Sequence, residues 1–198
     1  MKMSDATRPA EDDRELVSRY LGGDRRAFEI LVERHQPRVF GFVQGMIRDR
    51  PTAEELTQDI FVRAFRGIAG FRGDASFSTW LYRITVNHVR DHRISRPIRD
   101  RDRETSLDGL EEQGFDPPAG RAGPEEERRA AALEAAFHRC VAALEENLRE
   151  AFLLRHQQNL DYGAVAETLK ISRANAKVRV HRAREKLMAI LREQGFDV

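Results

Sequence analysis

The chain has 198 residues, of which 34% are charged and 40% hydrophobic, and its formal net charge is +1. The mean hydropathy is −0.61, which argues against one large core and favours two small domains. The sequence contains no apolar stretch of about 18 residues, which excludes a transmembrane helix, and its polar first residues predict no signal peptide. Cys140 is the single cysteine, so neither an intrachain disulfide nor a multi-cysteine zinc site is expected, and we predict a cytoplasmic protein.

Positive and negative charges are segregated along the chain. Residues 170–192 contain eight Lys or Arg and one Glu, whereas residues 104–127 contain eight Asp or Glu and one Arg. Blocks of one sign are typical of interaction surfaces and of extended tails. The basic block therefore predicts a nucleic-acid contact, and the acidic block predicts an exposed segment.

Helical spacing of apolar residues begins near residue 12. Gly22 and Gly23 are predicted to end a first helix, and Asp24 is predicted to cap a second. Pro37 should kink or restart that second helix, which continues toward Ile47. The inward stripe of the first helix is predicted to comprise Leu16, Val17, Tyr20 and Leu21.

Two further helices are predicted in the first half. Thr52–Glu55 has the Thr-Ala-Glu-Glu sequence of a capping box, and Ser76 is predicted to cap a helix from about Phe77 to Arg93. The inward residues of the earlier helix are predicted to be Leu56, Ile60, Ala64 and Phe65. Those of the later helix are predicted to be Trp80, Leu81, Ile84 and Val89.

The helical pattern disappears from 95 to 124, where proline and glycine accumulate, and this segment is predicted to be a flexible acidic linker. A helix is then expected from Pro124, with an apolar stripe of Leu133, Phe137, Cys140 and Leu144. Leu148, Phe152 and Leu153 are assigned to the next helix. No segment alternates as a strand does, so the predicted fold class is all-α.

A helix-turn-helix is predicted at the end of the chain. Asp161 should cap a helix over 162–169, and Ser172 should cap a longer helix over 173–192, with a three-residue turn between them. The core-facing arc of the longer helix comprises Ala176, Val180, Ala183 and Leu187. The outward arc comprises Ala174, Asn175, Val178, His181 and Arg182. A solvated basic helix has the same charge pattern, but an apolar Val178 on the polar face favours contact with a thymine methyl group in DNA.

These residues also carry a family resemblance. Three segments of the second half resemble the minus-35-reading domain of bacterial RNA polymerase sigma factors. They are Tyr162-Gly-Ala-Val-Ala-Glu-Thr-Leu169, Ile171-Ser172 and Lys177-Val-Arg-Val-His-Arg-Ala-Arg184. Three segments of the first half resemble region 2 of the same family. They are Gly23-Asp24-Arg-Arg-Ala-Phe28, Ala53-Glu-Glu-Leu-Thr-Gln-Asp59 and Phe77-Ser-Thr-Trp-Leu-Tyr-Arg-Ile84. With its short linker, the chain is similar to the extracytoplasmic-function (ECF) group of the sigma-70 family. The resemblance implies sigma region 2 at 12–94, a linker at 95–124 and sigma region 4 at 125–195.

The resemblance implies promoter DNA and core RNA polymerase, through its β′ and β subunits, as partners, and it allows an anti-sigma factor. It implies no catalytic residue, metal, cofactor or small-molecule substrate. The residues implied in polymerase binding are Leu56, Gln58, Asp59 and Phe61, although Leu56 fits a core role equally well and Gln58 and Asp59 fit a solvated face. Those implied in minus-10 binding are Phe71, Arg72, Arg83, Asn87 and Arg90. Those implied in minus-35 binding are Arg155, Tyr162, Arg173, Asn175, Lys177, Val178, Arg179, His181 and Arg182.

Two departures from the family pattern stand in the helix-turn-helix. Lys170 occupies a turn position where the family usually has glycine, and a left-handed lysine there would cost roughly 1 kcal/mol. Ala174-Asn175 replaces the common Gly-Thr, which bears on the minus-35 base preference.

Two other classes of protein fit parts of the sequence. A helix-turn-helix regulator that does not act as a sigma subunit leaves the first half unexplained. A zinc enzyme is suggested by His88-Val-Arg-Asp-His92, but the pattern lacks a third ligand.

Overall fold

The computed structural model describes residues 12–47, 49–101, 136–137 and 139–195, with side chains as far as residue 95 in the second range. The described residues contain helices and no strand, as the sequence predicts. Within these ranges every helix is too short or too polar to span a lipid bilayer. The first-half helices are α1 (Asp13–Leu21), α2 (Arg25–Met46), α3 (Arg50–Gly67) and α4 (Phe77–Arg101), with a 3₁₀ turn at Ile68–Gly70. Those of the second half are α5 (Glu146–Phe152), its π-helical continuation (Leu153–Gln157), α6 (Tyr162–Leu169) and α7 (Arg173–Glu193).

α2 begins where the sequence predicts but does not restart at its proline. The Asp24 side chain caps it by accepting a hydrogen bond from the Arg26 amide at 3.1 Å. The helix continues through Pro37 to Met46. His35 and Val39, on either side of the proline, are buried, and this packing outweighs the hydrogen bond that proline cannot make.

α3 begins earlier than predicted, and the expected Thr52–Glu55 capping box is wrong. Asp49 caps the helix instead by accepting a hydrogen bond from the Thr52 amide at 2.8 Å. Pro51 then falls in the first turn, where its missing N–H leaves no helical bond unmade. The predicted inward position of Phe65 is also wrong, because 51% of that residue is exposed.

α4 is longer than predicted. Ser76 caps it as expected, accepting a hydrogen bond from the Thr79 amide at 3.1 Å. The helix reaches Arg101 rather than Arg93, and it therefore includes Pro97 and the first residues of the predicted linker. Leu81 and Val89 are buried as predicted. The rest of the predicted linker, residues 102–124, lies outside the described residues.

The predicted helix-turn-helix is present with both of its caps. Asp161 accepts a hydrogen bond from the Ala164 amide at 2.9 Å, and Ser172 accepts one from the Asn175 amide at 3.1 Å. Lys170 adopts the left-handed conformation, with φ 56° and ψ 47°. The start of the helix expected from Pro124, with Leu133, lies outside the described residues. Five of the other apolar residues assigned to the second half are buried: Cys140, Leu144, Leu148, Phe152 and Leu153.

The two halves of the chain pack against each other and share a hydrophobic core. α4 contacts α6, and α2 contacts the π-helical segment. At one close approach, a Cβ atom on Gly45 would lie 2.8 Å from Leu153 Cδ1. Gly45 therefore lets the second half approach the backbone of α2 closely.

Candidate nucleic-acid and protein interfaces

α7 has one buried face and one exposed face, divided as its sequence predicts. Its predicted inward residues, Ala176, Val180, Ala183 and Leu187, are buried. Val178 is 46% exposed on the opposite face. The other residues predicted on that outward arc are exposed: Ala174, Asn175, His181 and Arg182. An exposed valine among cations can meet a base edge once α7 enters a DNA groove.

An aromatic ring brings three of the predicted minus-35 residues together. The Arg155 guanidinium lies 5.2 Å from the centre of the Tyr162 ring, and the Lys177 ammonium lies 5.9 Å from it. These are cation–π distances. Arg155 therefore belongs to the surface of α6 and α7, although it is contributed by the preceding π-helical segment.

The remaining polar residues of α7 are held along its exposed surface. Arg179 donates a hydrogen bond from Nε to Asn175 Oδ1 at 3.1 Å. His181 Nε2 lies 3.4 Å from Glu185 Oε1, and Arg173 is exposed in the first turn. The surface therefore combines cations that suit phosphates with an amide that suits a base edge.

The predicted minus-10 residues divide into two groups. Arg72, in the loop before α4, and Asn87, on α4, are exposed. Phe71 is half-buried, with its ring centre 6.0 Å from Phe77 and 5.5 Å from Trp80. The loop is thus anchored by an aromatic cluster, while its arginine and the amide of α4 face solvent.

Arg83 and Arg90 instead face carboxylates of the second half. Arg83 Nη2 lies 2.5 Å from Glu167 Oε1. Arg90 donates two hydrogen bonds to Glu150, from Nε at 2.7 Å and from Nη2 at 2.5 Å. The hydrogen bonding to Glu150 raises the pKa of Arg90 above its usual value. The sequence predicts both arginines as minus-10 residues, which stays a prediction, and it contains no sign of their acidic partners.

The residues predicted to bind polymerase lie on two sides of α3. Gln58 and Asp59 are exposed, whereas Leu56 and Phe61 are only 4% and 9% exposed. Val62 and Phe65, which the prediction left out, are 46% and 51% exposed. Their spacing of four and seven residues from Gln58 places all three on one helical face, a signal that the sequence did contain.

The paired histidines of α4 do not form part of a metal cluster in the described residues. His88 is buried, and its Nε2 lies 3.5 Å from Asp59 Oδ2. Burial and the nearby Arg63 lower the pKa of His88, although Asp59 opposes them. Among the residues that the structure describes, no group of three or more His, Cys, Asp or Glu side chains could hold a metal ion.

A capped helix-turn-helix with a basic, exposed second helix is typical of proteins that bind duplex DNA. Residues 31–102 match Sigma-70 region 2, and residues 134–187 match Sigma-70, region 4. The chain belongs to the sigma-70 family of RNA polymerase sigma factors, in its ECF group.

Curated relatives and solved structures agree with this family. The chain is 33% identical to RNA polymerase sigma-H factor of Pseudomonas aeruginosa, covering 92% of this chain and 97% of the relative. It is 31% identical to ECF RNA polymerase sigma-E factor of Escherichia coli K12, covering 87% and 91%. CnrH, solved in complex with the cytosolic domain of CnrY, aligns with a TM-score of 0.65 and 26% identity over 92% of this chain and 99% of that one. RpoE of Bartonella quintana shares the fold, with a TM-score of 0.67 and 21% identity over 83% and 96%.

Proposed function

We propose that this sigma factor acts in the cytoplasm, binding core RNA polymerase through α3 and promoter DNA through α4 and α7. The observation that carries the proposal is the pair of family matches in sigma order, 31–102 followed by 134–187, on a fold that exposes α7. We assign region 2 to residues 12–94, the linker to 95–124 and region 4 to 125–195.

Minus-35 recognition is assigned to α7 and the residues beside it. The α7 cations and Arg155 supply phosphate contacts, which fix the position of the helix on the duplex. Val178, Asn175 and Arg182 are exposed on α7, and we assign to them the contacts that distinguish bases. Tyr162 holds Arg155 and Lys177 in place through its ring.

Minus-10 recognition is assigned to the loop before α4 and to α4 itself. Unstacking a base costs a few kcal/mol, which contacts to the captured base must offset. Asn87 can both donate to and accept from a base edge, and the cations Arg72, Arg83 and Arg90 suit the backbone of a melted strand. Phe71 anchors the loop through its contacts with Phe77 and Trp80.

Polymerase binding is assigned to the exposed face of α3. Gln58 and Asp59 offer hydrogen-bonding groups, and Val62 and Phe65 beside them offer apolar surface. Leu56 and Phe61 lie on the buried side of the same helix. We therefore assign those two residues the role of fixing α3, so that its outer face has a defined shape.

A double substitution on α3 tests the polymerase assignment. Gln58→Ala/Asp59→Ala should abolish binding to core polymerase in a pull-down or competition assay, because exposed polar groups are lost from the contact. Circular dichroism should show unchanged helical content, since exposed substitutions usually change stability by no more than about 0.5 kcal/mol. Glu29→Ala/Glu33→Ala, an exposed pair on α2, is the matched control. Competition for core polymerase at the parental level by the α3 variant would refute the assignment.

The family consists of sigma factors, which are not enzymes. We propose in addition that no catalytic step is performed by this chain and that promoter melting draws only on binding energy. Regulation by an anti-sigma factor is a further proposal. Its support is the family membership and the fold shared with RpoE, whose structure contains the anti-sigma factor NepR.

A further inference from the structure

The first turn of α1 contacts the loop that leads into α4. We call residues 71–76 the minus-10 loop, because the proposed function assigns Phe71 and Arg72 to minus-10 DNA. Arg14 Nη2 donates a hydrogen bond to the carbonyl of Gly73 at 2.8 Å, although the two residues are 59 positions apart. Gly73 has a φ of 75°, and a Cβ atom there would have no neighbour within 4 Å. The tip of the loop is therefore open to solvent, and Arg14 holds its backbone from α1.

A second set of contacts runs from α1 to both ends of the same loop. The Asp13 carboxylate lies 2.8 Å from His35 Nε2 through Oδ2, and its Oδ1 accepts a hydrogen bond from Arg34 Nη1 at 2.6 Å. The centre of the His35 ring lies 5.3 Å from that of Phe77, the residue that follows the loop. The Phe77 ring centre lies 6.0 Å from that of Phe71, at the start of the loop. Asp13 is thus connected to both ends of the loop through a row of rings.

The contacts of Asp13 are partly shielded from water. His35 and Phe77 are buried, and Asp13 is half-buried. Burial acts to raise the pKa of Asp13, but hydrogen bonding and charge from His35 and Arg34 hold it below its usual value. Asp13 is therefore an ionised carboxylate at neutral pH, and it accepts hydrogen bonds from both neighbours. Leu16, one turn further along α1, is fully buried, so the helix is a fixed support for these contacts.

The contacts made by α1 lie outside the surface that the proposed function assigns to DNA. We propose that Arg14 and Asp13 are positioning residues for minus-10 recognition, which hold the minus-10 loop in one conformation before a base is captured. This inference rests on the proposed function of the loop and of α4. A loop that must be ordered during binding loses affinity in proportion to the cost of that ordering. Support at the tip by Arg14 and at the ends by Asp13 removes this cost and keeps Arg72 in a fixed position relative to Asn87.

Direct electrostatic contact with DNA is the competing role for these two residues. An exposed arginine such as Arg14 can pair with a phosphate, and it would then add to the salt dependence of binding. Asp13 carries a negative charge, so in a purely electrostatic role its removal would strengthen DNA binding. The positioning role predicts weaker binding when the Asp13 charge is removed and an unchanged salt dependence when Arg14 is replaced. Experiment can therefore separate the two roles.

The test of Arg14 uses the full chain assembled with core polymerase. The parent holoenzyme selects a strand from single-stranded DNA of randomised sequence, and fluorescence anisotropy measures the affinity of each variant for that strand at several salt concentrations. Arg14→Met keeps an unbranched stem but removes the donors, and it should weaken binding roughly three- to ten-fold, the effect of losing about one hydrogen bond. The slope of log affinity against log salt should match that of the parent. Arg25→Met, which removes an equal charge from an exposed position on α2, is the control and should bind as the parent does.

The test of Asp13 depends on the sign of the change. Asp13→Asn should weaken binding of the selected strand roughly three-fold or more, because an amide cannot accept hydrogen bonds from both His35 and Arg34 in the way a carboxylate does. Glu15→Gln removes an equal charge from the same turn of α1, where Glu15 is exposed, and it should not weaken binding. Affinity for random duplex DNA and for core polymerase should stay at the parental level in both variants, since α7 and α3 are unchanged.

The outcomes separate this inference from the proposed function. A smaller salt slope in Arg14→Met, or tighter strand binding by Asp13→Asn, would overturn positioning in favour of direct electrostatic contact. Parallel losses of strand binding, duplex binding and core binding would overturn it in favour of a general role in stability. Initiation by the parent, with both α1 variants binding the strand as their controls do, would overturn the inference alone. A parent holoenzyme that selects no strand and directs no initiation would overturn the proposed function and the inference with it.

Discussion

At the scale of single residues, Lys170 occupies a left-handed position in the turn of the helix-turn-helix. Its φ of 56° and ψ of 47° are left-handed, and its amide donates to the carbonyl of Glu167 at 3.4 Å. Glycine adopts this conformation without a Cβ clash, whereas lysine does not. The strain anticipated from the sequence is therefore present in the turn.

Replacing this lysine should stabilise the protein. Lys170→Gly is expected to raise the free energy of unfolding by about 0.5–1 kcal/mol. The substitution relieves the backbone strain, and the greater entropy of glycine in the unfolded chain offsets part of that gain. Denaturant titration measures the change. Lys170→Ala removes the same charge but retains a Cβ atom, so it should show no such gain. Equal stabilisation by both variants would place the effect in the charge of Lys170 and not in its backbone.

Asn87 provides a second prediction at the residue scale. Asn87→Ala should impair initiation on a duplex promoter and blunt discrimination at one minus-10 position, because the amide is proposed to contact a base. Core binding and the melting temperature should be unchanged, since Asn87 is exposed. Permanganate footprinting of the holoenzyme reports the melted strand, and Asp91→Ala, an exposed neighbour on α4, is the control. A normal footprint with a lowered melting temperature would make Asn87 a structural residue.

The capping residues show how far local sequence determines structure. Asp24, Ser76, Asp161 and Ser172 cap the helices that the sequence assigned to them. At α3 the predicted Thr52 cap is wrong: Asp49 caps the helix three residues earlier, which places Pro51 in the first turn. Local rules identify plausible caps, but a choice between neighbouring caps also depends on where the rest of the helix can pack.

At the scale of elements, α7 was predictable from its sequence and α4 was predictable only in part. α7 has a narrow apolar stripe with Ser172 at its start, so its periodicity defines the buried face without tertiary information. α4 carries Tyr82 and Val86 in the core as well as the expected Leu81 and Val89. The extra buried face arises because α4 packs against helices of both halves of the chain. The apolar stripe of α4 predicts packing on one side only, so it does not reveal the helix of the second half.

The exposed face of α7 leads to a prediction about DNA sequence preference. Val178→Ser and Arg182→Ala should each change the preferred minus-35 bases, because a base contact is worth about 1–3 kcal/mol of discrimination. Arg155→Ala should instead weaken all duplexes to a similar extent and reduce the salt dependence, since Arg155 is assigned to phosphate. Selection from a randomised duplex library measures both effects. An unchanged preference in the Val178 and Arg182 variants would remove those residues from the reading surface.

At the scale of the whole molecule, the packing of the two halves is the feature that the sequence did not predict. Arg90 and Glu150 are separated by 60 positions, and Arg83 and Glu167 by 84. The charge pattern of the sequence indicates that these arginines and glutamates form ion pairs or bind a charged ligand, but it does not show that they pair with each other. The proline- and glycine-rich segment between the halves indicated two separate modules, whereas a shared core joins them.

The close approach at Gly45 allows the packing of the halves to be disturbed without changing any charge. Gly45→Leu should force the π-helical segment away from α2, because even a Cβ atom at this position would lie 2.8 Å from Leu153 Cδ1. Since interiors are close-packed, the added side chain should separate the halves instead of being absorbed. Small-angle X-ray scattering of the free chain should show a larger radius of gyration. Gly70→Leu makes the same substitution where a Cβ atom would have nothing within 4 Å, so it should leave the radius unchanged. An unchanged radius for Gly45→Leu would mean that Leu153 moves aside and that ion pairs such as Arg90–Glu150 hold the halves together.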